Sequence, residues 1–410
     1  MITRIAGGRF KPPFLRFGVG ILIVLTAVFV AWLVARSVDY EVNNDFFTFW
    51  LGGRMLLQGQ NPYDAEAWAT NHTLYGSTWI ENPVYIYPLP LAFLYVPLGI
   101  LSLPVAAVVQ IGLSILALIS AAGLALSDWR STKAAGYLPV ILIGLFLYRP
   151  AIVTLRNGQL GGFLLFSLAM TAFLWERNRW FTGGGLMWFT LLKPTLGLPI
   201  AGLALIWLAS NRKWNAILGF ISVSVGLIFT GLLVDPGWIN KFLQMGLQKG
   251  MGVFGYNPTL WGLANLACAR QTVCSFVVGG AITVILSLSS AIILIRFRNR
   301  LDAWRTLALI VTVAIMMTPY LWAYDQIPLA LPVWAMIGFL VRRDTPFILV
   351  ANLYLAFSIL SLGLLGLALF LGHDIWSVVL PISVLIWWLW ENRIEFQLHS
   401  RRTEFTISPK

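Results

Sequence analysis

The chain has 410 residues, 59% of them hydrophobic and only 11% charged, and a mean hydropathy of +0.80, whereas about a quarter of the residues in an ordinary soluble domain are charged. This composition excludes a soluble enzyme and predicts an all-α polytopic membrane protein. The net charge of +12 would suggest a polyanion in a soluble protein, but here Lys and Arg mark topology, so nucleic acid is not an expected partner.

The first predicted element is the apolar run 15–36, about 20 residues long. Arg4, Arg9, Lys11 and Arg16 precede it and no small-residue cleavage site follows, so it reads as a retained first span and not a signal peptide. A first outer loop over 37–102 opens with "DFFTFWLGGRMLLQGQNPYD". Its spacing predicts a helix over 46–57 with Asp45 at the N-cap, stopped by Gly59, Asn61 and Pro62. A capping Asp is kept ionised by backbone N–H groups and the helix dipole. Capping is therefore the plain reading of Asp45, and service as a general base is compatible with it. Phe46, Phe47, Phe49 and Trp50 are expected to dip into the membrane and anchor this helix at the interface.

The next run, "YIYPLPLAFLYVPLGIL" over 85–101, contains Pro88, Pro90 and Pro97, which a lipid-exposed helix tolerates poorly. Further apolar runs lie at 104–126, 135–150, 159–175, 181–192, 195–209, 215–234, 275–296, 304–317, 326–341, 345–370 and 375–390, which with the first makes about twelve transmembrane helices in one domain over 1–410. If 85–101 does not cross, alternate loops ("SDWRSTK", "ERNRW", "SNRKW", "RFRNR", "VRRD" and the tail 391–410) share the side of the N-terminus and hold most of the 28 basic residues. Counting 85–101 as a span breaks this asymmetry, so it is expected to lie at the outer interface as a re-entrant or amphipathic helix, with both termini cytoplasmic.

The other outer segments are "YRPAIVTLRNGQLGG", "LLKPTLG", a second long loop over 235–274, "MTPYLWAYDQIP" and "GHDIW". They hold nearly all the polar groups at bilayer depth, so the chemistry is expected on the outer face. The inner loops have no P-loop and no dinucleotide fingerprint, so a substrate must arrive through the lipid. A lipid-phosphate substrate needs cations near the interface, and Arg149, Arg156 and Lys193 are the candidates. Lys193 stands out at the apex of two short runs, just before a helix-breaking Pro; snorkelling to headgroups is the plain alternative for each. A second carboxylate, Asp325, starts a span beside Tyr320, Trp322 and Tyr324, rings suited to an interfacial belt or to sugar stacking. Asn157 and Gln159 could bond sugar hydroxyls or satisfy a broken backbone. His72 and His373 have no partner at metal-ligand spacing, so neither a metal nor a cofactor is expected. Cys268 and Cys274 are compatible with a disulfide.

These pieces resemble the polyprenol-phosphate-mannose-dependent glycosyltransferases of family 87, which have the GT-C membrane fold. The similar stretches run in order along nearly the whole chain: "DFFTFWLGGRMLLQGQNPYD", "YPLPLAFLYVPLGILSLPVA", "RNGQLGGFLLF", "LLKPTLGLPI", "YNPTLWGLA" and "TPYLWAYD". The resemblance implies an inverting transfer, of mannose or in some relatives arabinose, from a polyprenyl-phosphate sugar to a glycolipid or glycan acceptor. The acidic residue of the first outer loop, which maps onto Asp45, would be the general base. Arg149, Arg156 and Lys193 would then meet the donor phosphate, and Asn157, Gln159, Asn257, Tyr320, Trp322, Tyr324 and Asp325 the sugar or acceptor. Where the family's late motif often has a His near the Trp, this chain has Tyr324 and Asp325. The competing class is a transporter or lipid flippase, although no inverted repeat is visible; an accessory protein without catalysis is a third.

Overall fold

An apolar run in a membrane must satisfy its backbone hydrogen bonds within itself, so it folds as a helix. The computed structural model describes residues 42, 44–77, 85–129, 131, 133–252 and 257–405; the expected first span at 15–36 lies outside them. No strand occurs among the described residues. In chain order the α-helices are α1 (Asp45–Leu57), α2 (Ala65–Leu74), α3 (Leu89–Gly99), α4 (Leu103–Asp128), α5 (Leu138–Leu147), α6 (Arg149–Arg156), α7 (Gly161–Glu176), α8 (Trp180–Met187) and α9 (Pro194–Ser210). There follow α10 (Trp214–Val234), α11 (Trp238–Gly252), α12 (Leu260–Ala267), α13 (Thr272–Arg296), α14 (Ala303–Met317), α15 (Ala330–Arg342), α16 (Phe347–Leu371) and α17 (Val379–Phe405).

Among the described residues, six helical segments are long and apolar enough to cross a membrane: Leu103–Asp128, Trp214–Val234, Thr272–Arg296, Ala323–Arg342, Phe347–Leu371 and Ile375–Arg393. A seventh would be the pair Ala134–Leu147 and Arg149–Arg156, bent by 65° where Tyr148 meets Arg149 and Pro150. The expected runs at 159–175, 195–209 and 304–317 form α7, α9 and α14, helices of 16, 17 and 15 residues. The run at 181–192 divides into α8 and a 3₁₀ turn, Trp188–Leu192. Among the described residues there are thus six helices of spanning length, or seven with the bent pair, where the sequence predicts about twelve.

The core is built around α14. Every residue of this helix except Arg305 is buried, as expected of a helix apolar on all sides, and it packs against α7, α9, α13, α15 and α17. By contrast α10 and α13 bury only 17% of their most apolar stretches, leaving the rest for lipid.

The first loop folds onto this bundle through α1 and α3. A Cβ on Gly53 would lie 2.4 Å from the Tyr95 carbonyl carbon, and one on Gly99 would lie 2.8 Å from the Arg54 nitrogen, so the two backbones touch. Arg54 then reaches across to donate to the Gly99 carbonyl at 2.8 Å, and the Trp50 indole donates to Leu101 at 3.2 Å. The helix α3 has 11 residues and does not have spanning length. The amphipathic expectation for it is corrected: Leu89, Leu91 and Ala92 are buried while Leu94 is exposed, so both faces are apolar.

The two ends of the bundle differ in composition. Ion pairs Lys133–Asp344, Arg305–Asp302, Arg343–Glu391 and Arg342–Asp128 join the basic loops at one end. The Gly-, Pro- and aromatic-rich segments meet at the other.

Candidate active site at one end of the bundle

The N-terminus of α1 is seated on the turn "RNGQ". Asn44, not Asp45, is the N-cap: its Oδ1 accepts from the Phe47 N–H at 3.2 Å, and Asp45 is the first helical residue. Two adjacent residues can both cap, and the capping role falls to the amide. The Asp45 carboxylate is left half-buried at the positive end of the helix dipole, where its ionised form is favoured. Phe46 N–H donates to the Asn157 carbonyl at 3.2 Å. Gly158 closes α6 in the left-handed region at φ +60°. A Cβ there would lie 2.6 Å from that of Phe46, so glycine is required both for the turn and for the approach of α1. The Gly158 carbonyl accepts from Gln110 at 3.0 Å, which ties the turn to α4.

The aromatic residues after Asp45 pack inside the protein and do not dip into lipid. Phe46, Phe47, Phe49 and Trp50 are each at most 2% exposed. Phe47 meets the edge of His72 at 5.0 Å, Phe49 meets Tyr87 at 4.7 Å and Trp50 meets Tyr75 at 4.9 Å. The first loop supplies its own aromatic core, and that core fixes Asp45. His72 is enclosed in it, and burial lowers its pKa below the ordinary imidazole value, so at neutral pH the ring is an uncharged packing element.

Lys193 lies between the turn Trp188–Leu192 and α9, whose first residue is Pro194. A Cβ on Gly197 would meet the Thr190 carbonyl oxygen at 2.1 Å, so this break is tightly folded. The Lys193 ammonium is ion-paired with Asp325, and the two side chains are 12% and 6% exposed. It also stands 4.8 Å from the centre of the Tyr324 ring, within cation–π range. The other oxygen of Asp325 accepts from the Trp322 N–H at 3.0 Å, so the carboxylate is held by its own turn.

Two carboxylates from opposite ends of the sequence converge on two phenols. Burial first, then the charges of Asp45 and Asp325 and the phenol of Tyr320, push the Tyr87 hydroxyl well above the usual tyrosine range, with a Gln159 hydrogen bond opposing. Tyr324 lies within the same electrostatic reach of Asp45, Asp325, Tyr87 and Tyr320, and its hydroxyl accepts from Gln159 Nε2 at 3.4 Å. Asp45, Gln159, Lys193, Tyr320, Tyr324 and Asp325 are therefore brought together around Tyr87. Trp322 is exposed at the rim, its indole donating to the Tyr320 hydroxyl.

Other candidate residues are placed differently. Arg149 makes a bidentate pair with Asp374 at 2.6 and 2.8 Å and also donates to Ser377. Arg156 is exposed at the end of α6, next to Asn157. Asn157 takes part through its carbonyl. Asn257 is buried and donates to the Pro319 carbonyl at 3.1 Å, bracing the segment that carries Tyr320. Cys268 and Cys274 form a disulfide, Cα–Cα 5.7 Å, between the end of α12 and the start of α13. Tyr87, Asp374 and Gln110 had no local signal: each belongs to an apolar or aromatic stretch and gains its meaning from a partner far along the chain. Among the described residues no three His, Cys, Asp or Glu side chains gather as a metal site.

A half-exposed carboxylate, a nearby buried lysine and a rim of aromatic and amide groups can take a proton, meet an anion and hold hydroxyls. Comparison with known families gives a match of residues 85–319, more than half of the chain, to the model of glycosyltransferase family 87. The matched region includes Tyr87, Arg149, Arg156, Asn157, Gln159, Lys193 and Asn257, and Asp45 and Tyr320 to Asp325 lie outside it. Neither a curated protein nor a solved structure matches the chain.

Proposed function

The chain belongs to glycosyltransferase family 87, and from that premise we propose that it transfers a sugar, mannose in the first instance, from a polyprenyl-phosphate donor to a glycolipid or glycan acceptor on the extracytoplasmic face. The observation that carries this reading is that the turn on which Asp45 is seated, through Phe46 N–H to the Asn157 carbonyl, also carries Gln159, which is bonded to Tyr324, whose ring stands beside the Lys193–Asp325 pair. Two features support the side. The disulfide at Cys268 belongs to a segment whose Asn257 braces the site, and disulfides persist in oxidising compartments. The basic loops gather at the opposite end, as the positive-inside rule requires of a cytoplasmic face.

In the proposed step the acceptor hydroxyl oxygen bonds to the anomeric carbon as the bond from that carbon to the phosphate oxygen breaks. The hydroxyl proton passes to Asp45, and the bonding pair leaves with the phosphate, which changes from a singly charged diester to a more highly charged monoester. Phosphate is a good leaving group, so a single base suffices and the remaining need is charge stabilisation. Lys193 supplies it, with Arg156 at the mouth; Arg149 braces the site through Asp374. One displacement through an oxocarbenium-like state inverts the anomeric centre. Tyr87 and Gln159 hold the substrate hydroxyls, and Trp322 and Tyr320 stack on the acceptor.

The test is transfer from labelled polyprenyl-phosphate mannose in membranes carrying a glycolipid extract. Asp45→Asn should lower the rate by about 10³-fold while leaving donor binding and thermal unfolding unchanged. Full transfer by Asp45→Asn would rule out the base, and solute counterflow with no sugar product would point to a transporter.

A further inference from the structure

The cation expected to meet the donor phosphate already has a carboxylate partner. Lys193 and Asp325 are both nearly enclosed, so little water screens them, and a third charge brought there interacts strongly. The two partners differ in freedom. Asp325 is fixed by its own turn: one carboxylate oxygen accepts from Trp322 N–H at 3.0 Å, and its backbone N–H donates to the Trp322 carbonyl at 2.9 Å. Lys193 carries its ammonium on a flexible four-carbon stem and sits at a break in the backbone between a 3₁₀ turn and α9. When an anion enters, the lysine can move and the aspartate cannot.

We propose that Asp325 is a built-in competitor for Lys193, which the donor phosphate must displace, and that it makes the site reject a doubly charged phosphate monoester more strongly than a singly charged diester. This rests on Lys193 being the donor-phosphate cation. The consequence follows from charge alone. Once the phosphate holds the ammonium, Asp325 faces it as a like charge without its own counter-ion. That repulsion grows with the charge of the phosphate, which is one negative charge on the donor and close to two on the released polyprenyl phosphate above the second phosphate pKa of about 6. Asp325 therefore costs the donor some affinity and costs the product more, so that transfer is followed by release. Tyr324, with its ring beside the ammonium, offers Lys193 a resting contact between the two partners.

The experiment measures binding of two probe lipids, decyl phosphate (monoester) and didecyl phosphate (diester), to the full-length protein in detergent at pH 8. Wild type should prefer the diester. Asp325→Asn, which keeps an acceptor for Trp322 N–H, should tighten the monoester by about tenfold or more and the diester by less, erasing the preference. Asp325→Ser should do the same, and Asp325→Glu should keep the wild-type preference, because charge and not shape is responsible. Lys193→Gln should weaken both lipids. If Lys193→Gln weakens binding but neither neutral Asp325 variant tightens it, the competition is overturned and the reading of Lys193 stands. If Lys193→Gln binds both lipids as wild type does, both fall.

Discussion

Two largely enclosed ion pairs stand at the same end of the bundle, and they are built in opposite ways. Arg149 and Asp374 meet through two parallel hydrogen bonds, with Ser377 bonded to both partners and the Arg149 backbone N–H donating to Ser361. Ser377 in turn offers its carbonyl to Gln326, whose own carbonyl accepts from Tyr148. Lys193 and Asp325 meet through one contact beside the Tyr324 ring, whose hydroxyl accepts from Gln159. A planar guanidinium locked by serines is a clip between helices, whereas an ammonium on a flexible stem can change partners. Under the proposed function, cations at bilayer depth divide into one that holds the fold and one that meets the substrate, and the neighbours of each, more than its charge, tell them apart.

The sharpest way to break this comparison is to remove the arginine. Arg149→Met strands Asp374 and should cost about 3–5 kcal/mol of stability, read as a fall in the unfolding midpoint in detergent. Adding Asp374→Asn should restore most of it. Loss of transfer without loss of stability would instead place Arg149 at the phosphate. On the other side, Lys193→Gln should lower transfer by about 10²-fold with a smaller change in the midpoint than Arg149→Met; the reverse order would undo the division. Gly158→Ala tests the seat between them. At φ +60° and 2.6 Å from Phe46, the new methyl should cost about 1–3 kcal/mol and lower transfer by displacing Asp45. The smallest effect belongs to the rim: Trp322→Ala, at an exposed side chain, should change stability by less than about 0.5 kcal/mol and be seen mainly as a higher KM for the acceptor.

Much of this site can be read from the sequence, and what cannot has a common cause. Asp45 stands out because a carboxylate between two apolar stretches demands an explanation, and Lys193 because Pro194 breaks the helix beside it. The sequence spacing predicts helix α1 over 46–57, and it runs from Asp45 to Leu57. The pairing of Lys193 with Asp325 and of Arg149 with Asp374 depends on which loops the packing of helices brings together, and no local pattern encodes that. The aromatic residues after Asp45 mislead for a different reason: lipid tails and a protein core are equally apolar, so Phe46 to Trp50 read as a membrane anchor when their partners are Tyr75, Tyr87 and Tyr95. For the same reason apolar runs overstate the number of full-length spans, since a buried helix of 15 residues such as α14 is as hydrophobic as a lipid-facing one.

That short central helix has a consequence for the membrane itself. At 1.5 Å per residue, the 15 residues of α14 rise about 22 Å, against about 30 Å of hydrocarbon, and its last residue, Met317, leads directly into the segment that carries Tyr320 and Asp325. Helix α13, which packs against it, has 25 residues. The difference of about 8 Å must be made up by chain beyond the ends of α14, and at its C-terminal end that chain is the turn segment with Tyr320 and Asp325. Under the proposed function, polar groups held at that depth would meet a lipid-borne headgroup while its tail stays in the bilayer.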